Sequence, residues 1–429
     1  MSNQISRKKF IGSSLMAAAG LSIVPSSVLG GKRVAPSDKL SLGFIGTGRL
    51  SPTLANGMLA LDNVDIVAAS DVYKAKLDAF EDLVSDHYKE KTGKNYWTGF
   101  RGYHNYEDML ARDDIDAIVV ATPDHWHAKA SIDAANAGKH IYCEKPLTHT
   151  VVEGRKLVNA VEENDVILQT GSMQRSWESF RHACELVRNG YLGEIQKVIV
   201  SVTDPAIPYD LEKEPMPEDL DWDRWVGPAP MNVFNSLVAP PVEDGSWPRW
   251  RDFKEYGGGT LCDWGAHMFD IAQWALGMDD TGPVELIAPK TPVPKRGLKM
   301  IYANGIEMYH YEFGRGHGVE FHGTEGTMQV SRQFVDTNPA SVATAEIKSS
   351  DERLYHSDNH YANWIDGIRE HKQTICPAEV GHRSATICNI ANIAYWVNRD
   401  LKWDPEAERF DDDEANSYLD KEYREGYEV

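Results

Sequence analysis

Between Leu40 and Asp71 the sequence sets out a short β-type run, a glycine-rich turn, a helix-compatible stretch and a second β-type run that ends in an acid. This order constrains the fold more than any other feature of the chain. Leu40-Ser41-Leu42-Gly43-Phe44-Ile45 leads into Gly46-Thr47-Gly48-Arg49-Leu50-Ser51. A helical stretch follows to Leu61, and then Val64 to Asp71. Strand, G-x-G turn, helix, strand and acid is the order of a dinucleotide-binding βαβ unit. Gly46 permits the tight turn, and Gly48 lets the backbone approach a pyrophosphate at the helix amino terminus. Ser51 stands where a third glycine is usual, a small residue for a small residue. Asp71 lies 25 positions after Gly46, near the distance at which a carboxylate holds the ribose diol. An acid there repels a 2′-phosphate and favours NAD, while Lys74 nearby leaves NADP open. Gly46, Thr47, Gly48, Arg49, Leu50 and Asp71 are therefore candidate cofactor-binding residues.

The rhythm continues. Ile115 to Thr122 is an apolar run of strand length, His125 to Ala137 reads as helix, His140 to Cys143 as strand, Val151 to Asn164 as helix and Val166 to Thr170 as strand. Strands alternating with helices predict a doubly wound parallel sheet, whose ligands bind beyond the carboxyl ends of its strands. Thr122-Pro123-Asp124-His125 and Glu144-Lys145-Pro146 fall at two such ends. Thr122, Pro123, His125, Glu144 and Lys145 thus join the cofactor candidates.

Further along, Gly257-Gly258-Gly259 opens a helical stretch that carries Asp263 and His267 and runs to about Leu276. Four residues apart on a helix is one face, so the carboxylate is placed to set the tautomer of the imidazole. Oxidation of an alcohol by hydride transfer needs a base for the hydroxyl proton, and a histidine suits that role near neutral pH. An ammonium from Lys145 can hydrogen-bond the reacting oxygen and relay its proton. Taken in order, Ala121-Thr122-Pro123, Glu144-Lys145-Pro146 and Gly257-Gly258-Gly259 followed by Asp263-Trp264-Gly265-Ala266-His267 resemble the glucose–fructose oxidoreductase, inositol dehydrogenase and rhizopine-catabolism family, Gfo/Idh/MocA. Trp222 to Pro228 and Glu379 to Ser384 are similar to its exported, sugar-acting branch.

The resemblance spans about residues 38 to 405. It implies a Rossmann domain (38–172) and an α+β domain with an open antiparallel sheet (173–405) that serves substrate binding and homo-oligomerisation, as dimer or tetramer. It also implies Lys145, Asp263 and His267 as the catalytic set, NAD as cofactor and a sugar or glycoside as substrate; export of the chain would require that NAD be held tightly, because free nicotinamide is not expected outside the cytoplasm. A redox-neutral glycoside hydrolase or lyase, like the related family 109 enzymes, is the alternative reading. His125, Gln174, Arg175 and Tyr256 are candidate substrate contacts, with a structural ion pair as the competing role for Arg175. In this family a histidine at the position of His127 is structural.

Charge and composition bound the rest. The 429 residues carry 44 Lys+Arg against 65 Asp+Glu, a balance of −21. That excess argues against nucleic-acid or anionic-membrane partners, which need clustered positive charge. Residues 1–30 read as an export signal of twin-arginine type, with Arg7-Lys8-Lys9 before an apolar run from Gly12 to Val24. Lys8 departs from the twin-arginine pattern. The run is far short of the roughly 20 residues needed to span a bilayer. A periplasmic location is the expectation. Five cysteines without a C-x-x-C pair or a His–Cys cluster predict buried free thiols and call for no metal. Asp204 to Gly257 is long, aperiodic and rich in Pro and Trp, which predicts an active-site cover. Trp177, Trp247, Trp250 and Tyr256 are candidate sugar-stacking rings. The last segment, 406–429, is acidic and is expected to be a solvated face or an arm over a neighbour.

Overall fold

The structure, a computed structural model, describes residues 39–429; the expected export signal lies outside the described residues. Six parallel strands form the first sheet: β1 (Leu40–Ile45), β2 (Val64–Ser70), β3 (Arg101–Tyr103), β4 (Ala117–Val120), β5 (His140–Cys143) and β6 (Leu168–Thr170). Their spatial order is β3-β2-β1-β4-β5-β6, with every neighbouring pair parallel. This is the doubly wound dinucleotide-binding order, and its direction reverses between β1 and β4. The strands read as apolar runs because helices cover both faces, so Phe44, Ile66, Val119 and Tyr142 are fully buried.

The expected helices appear at Ser51–Leu59, Asp124–Asn136 and Val151–Glu163. Thr150 and Glu153 close the last of these with a reciprocal capping box. Between β2 and β4 lie three elements the sequence reading did not assign, the helices Lys74–Thr92 and Tyr106–Leu110 and the strand β3.

The second sheet has nine strands: β7 (Ile195–Ser201), β8 (Glu285–Ile287), β9 (Leu298–Ile301), β10 (Glu307–His310), β11 (Gly318–Gly323), β12 (Thr327–Val330), β13 (Val335–Asn338), β14 (Leu401–Asp404) and β15 (Arg409–Phe410). Its order is β13-β12-β11-β7-β10-β9-β8-β14-β15. All pairs are antiparallel except β7 with β10. The helix Gly259–Leu276 has 14 buried residues and packs between this sheet and the helix Ala378–Val397. A helix apolar nearly all round is a core helix, so the positions of Asp263 and His267 are fixed by packing along most of its length.

The packing adds to one expectation and corrects another. The segment 204–257 has a core of its own, in which Trp222, Trp225, Phe234, Phe253 and Tyr256 pack against Tyr73 of the first domain. The acidic segment 406–429 is neither a free face nor an arm. Phe410 and Leu419 are buried, Tyr427 packs edge-on against Trp126 with centroids 5.5 Å apart, and Lys421 pairs with the buried Glu153 at 2.6 Å. The acids that dominate its composition mask the few apolar anchors that decide its path. Among the described residues, no helix is long and apolar enough to cross a membrane, and all five cysteines are free and buried.

Candidate active site

A cleft of about 1080 Å³ opens at the carboxyl ends of β1, β2, β4 and β5, beside the point where strand order reverses. Gly46, Gly48, Arg49 and Leu50 line it from the first turn, Asp71 from the end of β2, Thr122 and Pro123 after β4, and Glu144 and Lys145 after β5. The cover contributes Trp225, Val238, Pro248, Trp250 and Arg251 on the opposite side.

Gly46 has φ +86°, and a Cβ there would lie 2.9 Å from the backbone of Ala121 and Thr122, so only glycine fits. A Cβ on Gly48 would meet nothing within 4 Å. That position borders open cleft, as a backbone approached by a pyrophosphate must. The helix Ser51–Leu59 begins here with no side chain capping it, which leaves its amino terminus turned to the cleft for an anion. Two buried polar atoms of cleft residues, Thr122 Oγ1 and Glu144 Oε1, have no hydrogen-bond partner. Together these features fit a dinucleotide.

Thr47 is not in the lining. Its N–H and hydroxyl both donate to Asp71 Oδ2, at 2.7 and 2.9 Å, and Tyr73 N–H donates to Oδ1 at 2.9 Å. Thr47 thus ties the turn to the acid. Lys74, expected near a 2′-phosphate, points out to Asp78; Lys76 lines the cleft instead, over the Tyr73 ring.

At the other end of the cleft, Lys145 Nζ donates to Asp263 Oδ1 at 2.6 Å and to the Asp263 carbonyl at 2.8 Å. The Lys145–Pro146 peptide is cis. Arg251 Nε donates to the same carboxylate oxygen at 3.3 Å, while its guanidinium stacks over Trp250 at 4.1 Å. Burial works against the Asp263 charge, but Lys145 and then Arg251 outweigh it and hold the carboxyl well below the usual range. The expected pairing of Asp263 with the His267 ring is not what forms: the carboxylate turns to the two cations, because a charged donor outcompetes a neutral imidazole.

His267 lies one turn further on the same helix and is buried, with no hydrogen-bond partner at Nδ1. Burial, followed by the nearby Lys145 and Arg332 charges, pushes its pKa well below the ordinary histidine value, so the ring is neutral and able to accept a proton. Two carboxyls beside this group are shifted the other way. Burial raises Asp124 to about 8 and Glu144 to about 7.

The softer candidates are sorted clearly. His125 does not face the cleft: it is fully buried, with Nε2 3.1 Å from the Trp225 carbonyl and Nδ1 3.3 Å from that of Tyr256. Tyr256 is fully buried within the cover. Both pin the cover to the first domain and neither can touch a ligand. His127 is structural, bridging the Pro146 and Thr122 carbonyls. Arg175 is buried in bidentate ion pairs with Asp270 and Asp279 and is likewise structural. Gln174 is buried too, yet it touches the site from behind, donating to the His267 carbonyl at 3.4 Å and accepting from Arg332 Nε at 2.8 Å. Trp250 lines the cleft beneath the Arg251 guanidinium.

The sequence reading missed Arg251, Arg332, Lys76 and Asp124. Asp124 adjoins the recognised Thr122-Pro123 pair and was within reach; the two arginines are brought in only by tertiary packing.

Sequence comparison agrees with this geometry. Residues 40–172 match the description "Oxidoreductase family, NAD-binding Rossmann fold" and residues 186–429 match "Oxidoreductase family, C-terminal alpha/beta domain". The chain belongs to the Gfo/Idh/MocA oxidoreductase family. Its first domain is accordingly an NAD-binding Rossmann domain, and the family model runs through the carboxy-terminal segment to Val429.

Among curated relatives, a myo-inositol 2-dehydrogenase of Thermotoga maritima is 28% identical over 169 residues, 39% of this chain and 47% of that protein. A glycosyl hydrolase family 109 protein of Shewanella baltica is 29% identical over 214 residues, 45% of each chain. The chain thus spans about half the length of these two relatives. The fold is shared with the WlbA dehydrogenase of Bordetella pertussis, with TM-score 0.59 and 20% identity, covering 85% of this chain and 98% of that one.

Proposed function

We propose that this chain is an NAD(P)-dependent oxidoreductase that interconverts a secondary hydroxyl and a ketone on a sugar or glycoside, with Lys145, Asp263 and His267 as its catalytic group. The observation that carries the reading is the Lys145–Asp263 ion pair at 2.6 Å, set at the end of the dinucleotide cleft and one helical turn from a buried, neutral His267. A bound nicotinamide would accept the hydride from the carbinol carbon. The residues of the chain manage the proton. The Lys145 ammonium, oriented by Asp263, hydrogen-bonds the reacting oxygen, and the His267 imidazole takes the hydroxyl proton. Asp263 keeps Lys145 aimed, and Arg251 holds Asp263. Gly46, Gly48, Arg49, Leu50, Asp71, Thr122, Pro123 and Glu144 are the cofactor's contacts.

The family 109 relative supports a second reading, a redox-neutral cleavage of a glycosidic bond through a transient keto-sugar. The same three residues serve its oxidation step. The basic and apolar start of the sequence supports export to the periplasm; free nicotinamide is not expected there, which makes a tightly held cofactor the consistent arrangement. The open nine-stranded sheet supports assembly of copies into a dimer or tetramer.

The test is incubation of the purified protein with free sugars and aryl glycosides. Nicotinamide reduction supports the dehydrogenase; aryl release without net reduction supports the redox-neutral reading. Neither signal with any sugar rejects both.

A further inference from the structure

Arg332 stands in the turn between β12 and β13 and reaches the far side of the catalytic group. Its Nε donates to Gln174 Oε1 at 2.8 Å, and Gln174 in turn holds the His267 carbonyl. Its guanidinium lies 4.6 Å over the Trp264 ring and 5.5 Å from that of Trp177. His317 stacks on Trp264 at 4.2 Å, and Trp264 in turn meets the His267 ring at 5.9 Å.

The remaining donors of Arg332 are the telling feature. Other arginines near the core are paired: Arg175 with Asp270 and Asp279, Arg251 with Asp263, and Arg296 with Asp204 and Glu312. Arg332 is half-buried and has no carboxylate within ion-pair distance among the described residues. Burial works against its charge, and the nearby Asp263 offsets this in part. A desolvated guanidinium without a counter-charge costs stability unless a ligand supplies one. Arg332 does not line the cofactor cleft, so the pyrophosphate is not that ligand. It sits instead on the His267 side of the site, over the same Trp264 ring that meets the His267 imidazole.

Resting on the catalytic reading above, we propose that Arg332, in the cage of Trp177 and Trp264, binds a carboxylate on the substrate, so that the enzyme's substrates are acidic sugars of the uronate or glycosiduronate type. Nε is already engaged, which leaves the Nη1–Nη2 end of the fork. Two parallel donors at that spacing match the two oxygens of a planar carboxylate. The Trp264 edge offers an apolar wall for the sugar ring beside it.

The test uses the full chain loaded with NAD. Binding of methyl β-D-glucuronide, galacturonide and mannuronide is compared with that of the matching neutral methyl glycosides by titration calorimetry. At least one uronide is expected to bind roughly 10- to 100-fold tighter than its neutral partner, the scale of a hydrogen bond to a charged group. R332Q should abolish that preference, and R332K should keep part of it. Retained nicotinamide and a single cooperative melting transition show that the variants fold. Equal affinity across every pair, or a preference that survives in R332Q, overturns the proposal. Sugar 6-phosphates and 6-sulfates run alongside; if these outbind the uronides, the carboxylate assignment is wrong. Reduction of the bound nicotinamide is followed separately. Arg332-dependent binding without reduction would refute the reaction and leave this inference standing. Reduction by neutral sugars regardless of Arg332 would do the reverse.

Discussion

Replacing Lys145 by Met isolates the catalytic role of its ammonium from the cofactor cradle. The variant keeps an unbranched side chain one atom shorter and removes a group that makes two hydrogen bonds to Asp263, at 2.6 and 2.8 Å. Asp263 is not stranded, since Arg251 still reaches its carboxylate at 3.3 Å. The cost to folding is therefore that of losing a charged hydrogen bond, about 1.5–3 kcal/mol, and not that of an unpaired buried ion. The cost to turnover is larger. Loss of a preorganised donor to the reacting oxygen removes about 3–4 kcal/mol of transition-state stabilisation, and loss of the proton relay brings the total to roughly 10³–10⁴ in kcat. Gly46, Gly48 and Asp71 lie at the other end of the cleft, so cofactor affinity should change by less than about threefold, a shift under 1 kcal/mol. The assay is single-turnover nicotinamide reduction at saturating sugar, with cofactor binding measured in parallel by fluorescence. A K145M protein that turns over within about tenfold of the parent would refute the assignment. So would a loss of cofactor binding that accounts for the loss of activity.

Four further outcomes follow from the same geometry. Gly46→Ala should destabilise the fold, because its Cβ would lie 2.9 Å from the Ala121 backbone at φ +86°; Gly48→Ala should melt like the parent yet bind NAD at least tenfold more weakly, which calorimetry and thermal melting separate. Asp71→Ser should raise the NADP-to-NAD preference, because it removes the acid beside the ribose and leaves Lys76 in the cleft, as read from the ratio of kcat/KM values. Thermal stability should fall as pH drops from about 6.5 towards 4. Burial lowers His125 to about 3 and His127, His310 and His360 to about 4, so the unfolded chain takes up these protons first, at about 1.4 kcal/mol per pH unit per histidine. The raised Asp124 and Glu144 act in the opposite sense, losing stability as pH rises towards 7–8, but they are two groups against four. A melting temperature flat between pH 6.5 and 4 would contradict the burial of these rings.

What the sequence revealed follows from the range of the interactions involved. The G-x-G turn, Asp71, Glu144-Lys145 and the Asp263–His267 spacing are local patterns, and local geometry carries them onto strand ends and one helix face. The helix Lys74–Thr92 was missed although Leu77, Phe80, Val84 and Tyr88 recur at three- and four-residue spacing, because charged residues swamp its mean hydropathy. The partners of Asp263 were misread for a different reason. Spacing along a helix brings His267 onto the same face, but Lys145 lies 118 residues away and Arg251 comes from an aperiodic loop. No periodicity reports such contacts. His125, Tyr256 and the acidic carboxy-terminal segment show the same limit: residue types that suit a sugar site or a solvated arm are used here to fasten the cover and the chain end onto the first domain.

The central claim is that one cleft holds the nicotinamide cofactor and that His267 takes the substrate proton at its end. The most direct measurement is the rate of nicotinamide reduction by a reactive sugar in a single turnover, for the parent and for His267→Ala, across pH. The account predicts that the parent rate falls on acidification as His267 becomes protonated, and that the variant is slowed by roughly 10²–10⁴ with this pH dependence removed. A variant that keeps the full rate and the same pH profile would contradict it.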